Sequence, residues 1–234
     1  GVTKINNTTF FKCTSLTEVV LPESITSIGA YAFQYCSGLK SINIPSKVSS
    51  IGADAFNGCE SLVSITIPEG ITSIENYTFY CCTGLTDVVL PNSALSLGDY
   101  AFYRCVNLSN ITMPNKLENI GQKTFAGCNN VVEIELGESL KSIGYAAFAS
   151  CINLEGIVIP DGITTIEEGT FSSCEKLVSV VIPSSVTSIG QDAFAWCTNL
   201  AEITLPTNIE NIGYGAFYHC DKLAKVTIPV SVEE

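Results

Sequence analysis

The sequence predicts a solenoid: one array of stacked coils with parallel β-structure, running over residues 1–234 as a single domain. Three ladders of residues predict it. Cysteine recurs every 23 residues, at Cys13, Cys36, Cys59, Cys82, Cys105, Cys128, Cys151, Cys174, Cys197 and Cys220. Phenylalanine keeps the same interval three residues earlier, from Phe10 and Phe33 through to Phe194 and Phe217. All the prolines, from Pro22 and Pro45 to Pro206 and Pro229, share the beat, and Gly137 fills the one slot without proline. Equivalent residues of stacked coils lie about 4.8 Å apart, so about ten coils make a rod or arc roughly 45 Å long.

The unit Leu39 to Ser61 shows how each part forms. Leu39, Ile42 and Ile44 alternate into a short strand, and Pro45 closes it because proline has no amide hydrogen for the ladder. Val48 and Ile51 follow at a spacing of three and turn the chain inward. Gly52 to Phe56 is too short for a stable helix and predicts a single helical or 3₁₀ turn. Cys59 then leads to the next strand. The Gly52 slot holds Glu75 and Glu167 in other units, so it does not require positive φ. Ala94 replaces a larger aliphatic residue at the Val48 slot, which predicts looser packing there.

Composition bounds the function. The chain is 46% hydrophobic and only 15% charged, which argues for a folded array. No apolar run approaches the roughly 20 residues of a membrane helix, so no membrane insertion is expected. The net charge of −12, with Arg104 as the single arginine, argues against nucleic acid, which calls for a basic stripe. Val2 and Ile5 fit the second half of a unit and Val232 falls mid-unit. Neither end reads as the polar cap that solenoids need, so the expectation is a fragment of a longer array.

The pattern LxxIxIPxxVxxIGxxAFxxCxx, carried by segments such as LVSITIPEGITSIENYTFYCCTG from Leu62 and LVSVVIPSSVTSIGQDAFAWCTN from Leu177, resembles the leucine-rich repeat. Specifically, it resembles the BspA-like variety of bacterial and protist surface proteins, over essentially the whole chain. The resemblance implies a right-handed solenoid with one parallel sheet face and short turns or 3₁₀ segments opposite. It also implies an extracellular or cell-surface location and roles in adhesion. It carries over no catalytic residue.

Residues that recur in every coil are explained by stacking, so function must lie in what varies. The in-phase cysteines are too far apart for a zinc site, and pairwise disulfides would impose a double period that is absent. They read as reduced, buried thiols packed as small hydrophobes. Cys81 is out of phase, in a slot that accepts glycine, arginine and tryptophan, and is expected to be an exposed thiol. The only histidine, His219, shares that slot and has no second histidine to work with. No enzyme activity, catalytic residue, metal or cofactor is therefore expected. The N-x-S/T sequons at Asn7, Asn76, Asn107 and Asn110 matter only if the source is a secreting eukaryote.

Two surfaces remain as candidates for a protein or extracellular-matrix partner. Glu133, Glu135 and Glu155, with Val158, Val178 and Val181, fall on outward strand positions and form the first. Tyr77, Tyr80, Tyr100 and Tyr103 occupy matching positions in adjacent coils and form the second, expected as one cluster. An adhesion module binding through the sheet face is the leading reading. A structural spacer that displays another domain is the alternative.

Overall fold

A computed structural model describes residues 1–232 as stacked parallel coils with no helix of any kind. The front ladder is the expected one. Glu18–Val19 pairs with Ser41–Ile42, and Ser64–Thr66, Asp87–Val89 and Asn110–Thr112 pair in turn. Gly156–Val158 then pairs with Ser179–Val181. Every pairing is parallel and offset by one 23-residue unit, as in Ser64 opposite Asp87. The middle residue of each three-residue strand points inward. Ile65 is 3% exposed while Ser64 and Thr66 are exposed, which is the two-residue periodicity of a pleated strand.

A second parallel ladder is present beyond the expected one. It joins Lys4–Ile5, Ser27–Ile28 and Ser50–Ile51, then Ser73–Ile74, Ser96–Leu97, Asn119–Ile120 and Ser142–Ile143, then Thr165–Ile166, Ser188–Ile189 and Asn211–Ile212. Each strand is two residues long, too short for alternation to show in a sequence. The Val48–Ile51 spacing thus builds a ladder as well as an inward turn.

The turn that follows is neither α-helical nor 3₁₀. Tyr31, Phe33 and Tyr35 donate their backbone N–H groups to Ala53, Ala55 and Asn57 of the next coil at 2.7–3.0 Å. The alternate residues Ala32, Gln34 and Cys36 donate to carbonyls three residues back, at 3.0–3.3 Å. This alternation pairs consecutive donors. It also places two residues per coil in the left-handed region, such as Tyr31 and Tyr35, each at φ 59°. That region costs a non-glycine residue about 1–2 kcal/mol, and the cross-coil hydrogen bonds offset it. The slot shared by Cys81, Arg104, Trp196 and His219 is one of these positions.

The core is built from the predicted ladders. Phe10 to Phe217 form one continuous stack with ring centroids 5.1–5.6 Å apart and interplanar angles of at most 13°. Phe33 to Phe194 are fully buried, while Phe10 and Phe217 are partly covered. Each in-phase thiol from Cys36 to Cys220 donates to a phenylalanine carbonyl of the preceding coil, with S···O 3.0–3.2 Å. Ala94 is fully buried. The glycines of the Gly52 column do not adopt positive φ, as expected, but close approach explains them. A Cβ on Gly121 would lie 2.6–2.7 Å from Asp99 Oδ1, Asp99 N and Gly98 C.

Candidate functional site

The front ladder breaks between Ser41–Ile42 and Ser64–Thr66, after Asn110–Thr112, and after Ser179–Val181, beyond which an isolated bridge joins Glu202 and Lys225. The break after Asn110–Thr112 has two grooves beside it. Residues 131–138 form no strand, although Val131 and Ile134 stay buried. This is the coil in which Gly137 replaces proline. The next coil resumes the ladder, with the N–H of Glu155 donating to the carbonyl of Val132 at 3.0 Å.

The interruption opens two contiguous grooves. One, of about 700 Å³, lies between Thr112 and Glu135 and reaches Gly137 and Glu138. The other, of about 480 Å³, is lined by Glu133, Glu135, Glu155, Val158 and Val181. The structure thus brings five of the six expected sheet-face residues to one depression. The sixth, Val178, donates its N–H to the Glu155 carbonyl at 2.9 Å and lies alongside. Val158, Val178 and Val181 are 61%, 50% and 55% exposed, so an apolar strip borders the three carboxylates. Among the described residues, no group of three His, Cys, Asp or Glu side chains is placed to hold a metal ion.

The four tyrosines also come together. Tyr77 stacks on Tyr100 at 4.9 Å and Tyr80 on Tyr103 at 5.0 Å, and Tyr77–Tyr80 and Tyr100–Tyr103 close the group at 5.7 and 5.5 Å. All four are half-buried. Burial raises the hydroxyl pKa of Tyr77 and Tyr80.

Cys81 is corrected from exposed to half-buried. Burial raises its thiol pKa, with Arg104 and a hydrogen bond from Tyr80 acting in the opposite direction. The exposed thiol is instead Cys13. Arg104, Trp196 and His219 are exposed in this slot, but the shorter side chain of Cys81 stays half-buried. The slot is variable because its left-handed backbone is held by cross-coil hydrogen bonds whatever the side chain. His219 stacks on Trp196 at 4.0 Å and faces Asp221 through Nδ1 at 3.3 Å. This aromatic group was not among the expected sites, and Trp196 at the variable slot was its only signal.

Coils of this length, with a front parallel ladder, proline-closed strands and a consensus phenylalanine and cysteine stack, define a leucine-rich-repeat solenoid. The chain belongs to the BspA-type leucine-rich repeat family: the model of the six-copy BspA type leucine rich repeat region matches residues 3–132 and 118–234. A leucine-rich repeat protein from Bacteroides ovatus is 28% identical, with a TM-score of 0.57, over 99% of this chain and 78% of that one. A leucine rich cell surface protein from Faecalibacterium prausnitzii is 27% identical, with a TM-score of 0.49, over 96% of this chain and 82% of that one. A leucine-rich repeat protein from Eubacterium ventriosum is 21% identical, with a TM-score of 0.49, over 100% of this chain and 83% of that one. No curated protein matches the chain.

Proposed function

We propose that the chain is an extracellular or cell-surface interaction module that engages a protein or matrix partner through its front sheet face. The observation that carries this reading is the grooved interruption of the ladder, where Glu133, Glu135 and Glu155 meet the exposed Val158, Val178 and Val181. A carboxylate cluster beside an apolar strip suits a partner segment with basic and aliphatic side chains. Opposite charges speed encounter, and apolar contact slows release. The repeat family supports an interaction role, since solenoids present extended binding surfaces.

The test is an interferometry screen of the chain against extracellular-matrix and surface proteins. Two block variants accompany it: Glu133, Glu135 and Glu155 to Lys, and Tyr77, Tyr80, Tyr100 and Tyr103 to Ser. For a partner found, the lysine block should weaken binding by about tenfold or more and the tyrosine block should leave it nearly unchanged. Loss with the tyrosine block alone moves the site to the turn edge. Absence of any partner favours the spacer reading.

A further inference from the structure

Outside the sheet face, the turn edge carries a pocket of opposite charge. It has a volume of about 380 Å³ and is lined by Tyr103, Arg104, Lys123, Gly127, Ala149 and Ser150, among others. Arg104 is the only arginine of a chain with net charge −12. Among the described residues, neither Arg104 nor Lys123 lies within ion-pair distance of a carboxylate. Aromatic rings hold Lys123 instead: its Nζ lies 5.8 Å from the Tyr100 centroid and 5.2 Å from that of Tyr145. Arg104 is exposed, and its backbone N–H is fixed by the Ala126 carbonyl at 2.8 Å. Two cations without anions, converging on one pocket in an acidic molecule, leave a site for an anion.

The floor decides which kind of anion. After Arg104, the same slot holds Gly127, Ser150 and Ser173 in successive coils, and then Trp196. Gly127, Ser150 and Ser173 carry little side chain, so no bulky group of this column stands between the cationic end, beside Tyr103, and the indole end; the pocket itself reaches Ser150. Those ends are four coil spacings apart, roughly 19 Å at about 4.8 Å per coil. Trp196 is 46% exposed and stacks on His219 in the following coil, while the preceding coil offers it only Ser173. Small side chains between aromatic groups at both ends suit pyranose rings, whose C–H faces pack on the apolar faces that aromatic side chains present. The carboxylates elsewhere on the molecule disfavour long polyanions, so a short acidic ligand fits better than an extended one.

We propose that this pocket, with the small side chains beyond it, binds a short acidic oligosaccharide, with the carboxylate of one sugar ring on Arg104 and Lys123 and the following rings running toward Trp196.

Isothermal titration calorimetry on the whole chain tests this with tetragalacturonate and sialyllactose as acidic probes. Maltotetraose, inorganic phosphate and a tetraglutamate peptide serve as controls. At least one acidic saccharide should bind, and maltotetraose should not. Arg104→Gln with Lys123→Gln should weaken that binding by about tenfold or more, as expected for lost charge-assisted hydrogen bonds. Arg104→Lys should retain part of it, and melting temperatures should confirm that each variant is folded. Trp196→Ala should weaken tetragalacturonate but leave monomeric galacturonate unchanged. No binding of either acidic saccharide at millimolar concentration overturns the proposal, as does equal affinity for maltotetraose. Phosphate or tetraglutamate binding as tightly would reduce the site to a plain anion or peptide site. Indifference to the Arg104 and Lys123 changes would do the same damage.

Discussion

A buried cysteine in this chain is a hydrogen-bond donor as much as a space filler. The thiol of Cys151 reaches the Phe125 carbonyl at 3.2 Å, and the backbone N–H of Cys128 reaches the same oxygen at 3.0 Å. One carbonyl thereby ties two coils together, and the thiol must stay protonated to donate. Burial pushes the thiol pKa values up, to about 11 at Cys36 and Cys220 and about 12 at Cys151. Brief alkylation of the native protein should therefore modify Cys13 first and Cys81 more slowly, with the remaining thiols reacting only on unfolding; mass spectrometry counts the adducts. Several core thiols labelling as fast as Cys13 would contradict the burial seen here. A pKa raised in the fold also sets a direction with pH. The stabilisation is complete below the unfolded thiol value of about 8.5 and is lost as pH climbs toward the folded values. Melting temperature should fall from pH 8.5 upward. The fall should be shallower in Cys151→Ala, a comparison that removes the parallel titration of tyrosine and lysine.

The element that organises the array is the phenylalanine stack, and its energetics depend on position. Phe125 is fully buried between Phe102 and Phe148, at 5.5 and 5.4 Å. Phe125→Ala should cost about 3–5 kcal/mol in chemical denaturation. Phe10, half-buried with one stacking partner, should cost much less. Equal costs would contradict nearest-neighbour stacking. The front ladder has its own weak element at Gly137. The N–H of Leu140 donates to the Gly137 carbonyl at 3.2 Å, just as Leu117 donates to Pro114 at 3.0 Å, so the proline-type turn survives without proline. A Cβ there meets nothing closer than 3.4 Å. Gly137→Pro should stabilise the fold by about 0.4–1 kcal/mol through the unfolded chain. In the parent, amides of residues 133–137 should exchange faster than those of 156–159, because the former belong to no ladder. Hydrogen exchange reads both effects.

At the scale of the whole molecule, two charge environments sit on different faces: the acidic groove of the front sheet, and the Arg104–Lys123 pocket of the turn edge. Raising ionic strength should weaken basic partners at the first and acidic ligands at the second, since both rely on partly screened charges. The repeat length, the front strand, the buried Phe and Cys ladders and the tyrosine cluster were all legible in the sequence. Each is a one-dimensional period converted to a spatial column by a stack that places residue n beside n plus 23. That conversion also drew Glu133, Glu135, Glu155, Val158, Val178 and Val181 together from their strand positions. Only the tertiary structure decided the rest. The second ladder has strands too short to leave a pattern. The left-handed turns tolerate tyrosine, arginine and tryptophan because hydrogen bonds between coils hold the backbone there, so no glycine signature marks them. The burial of Cys81 and the opening at Gly137 depend on neighbours a whole coil away, and a period identical in every unit cannot encode what differs in one.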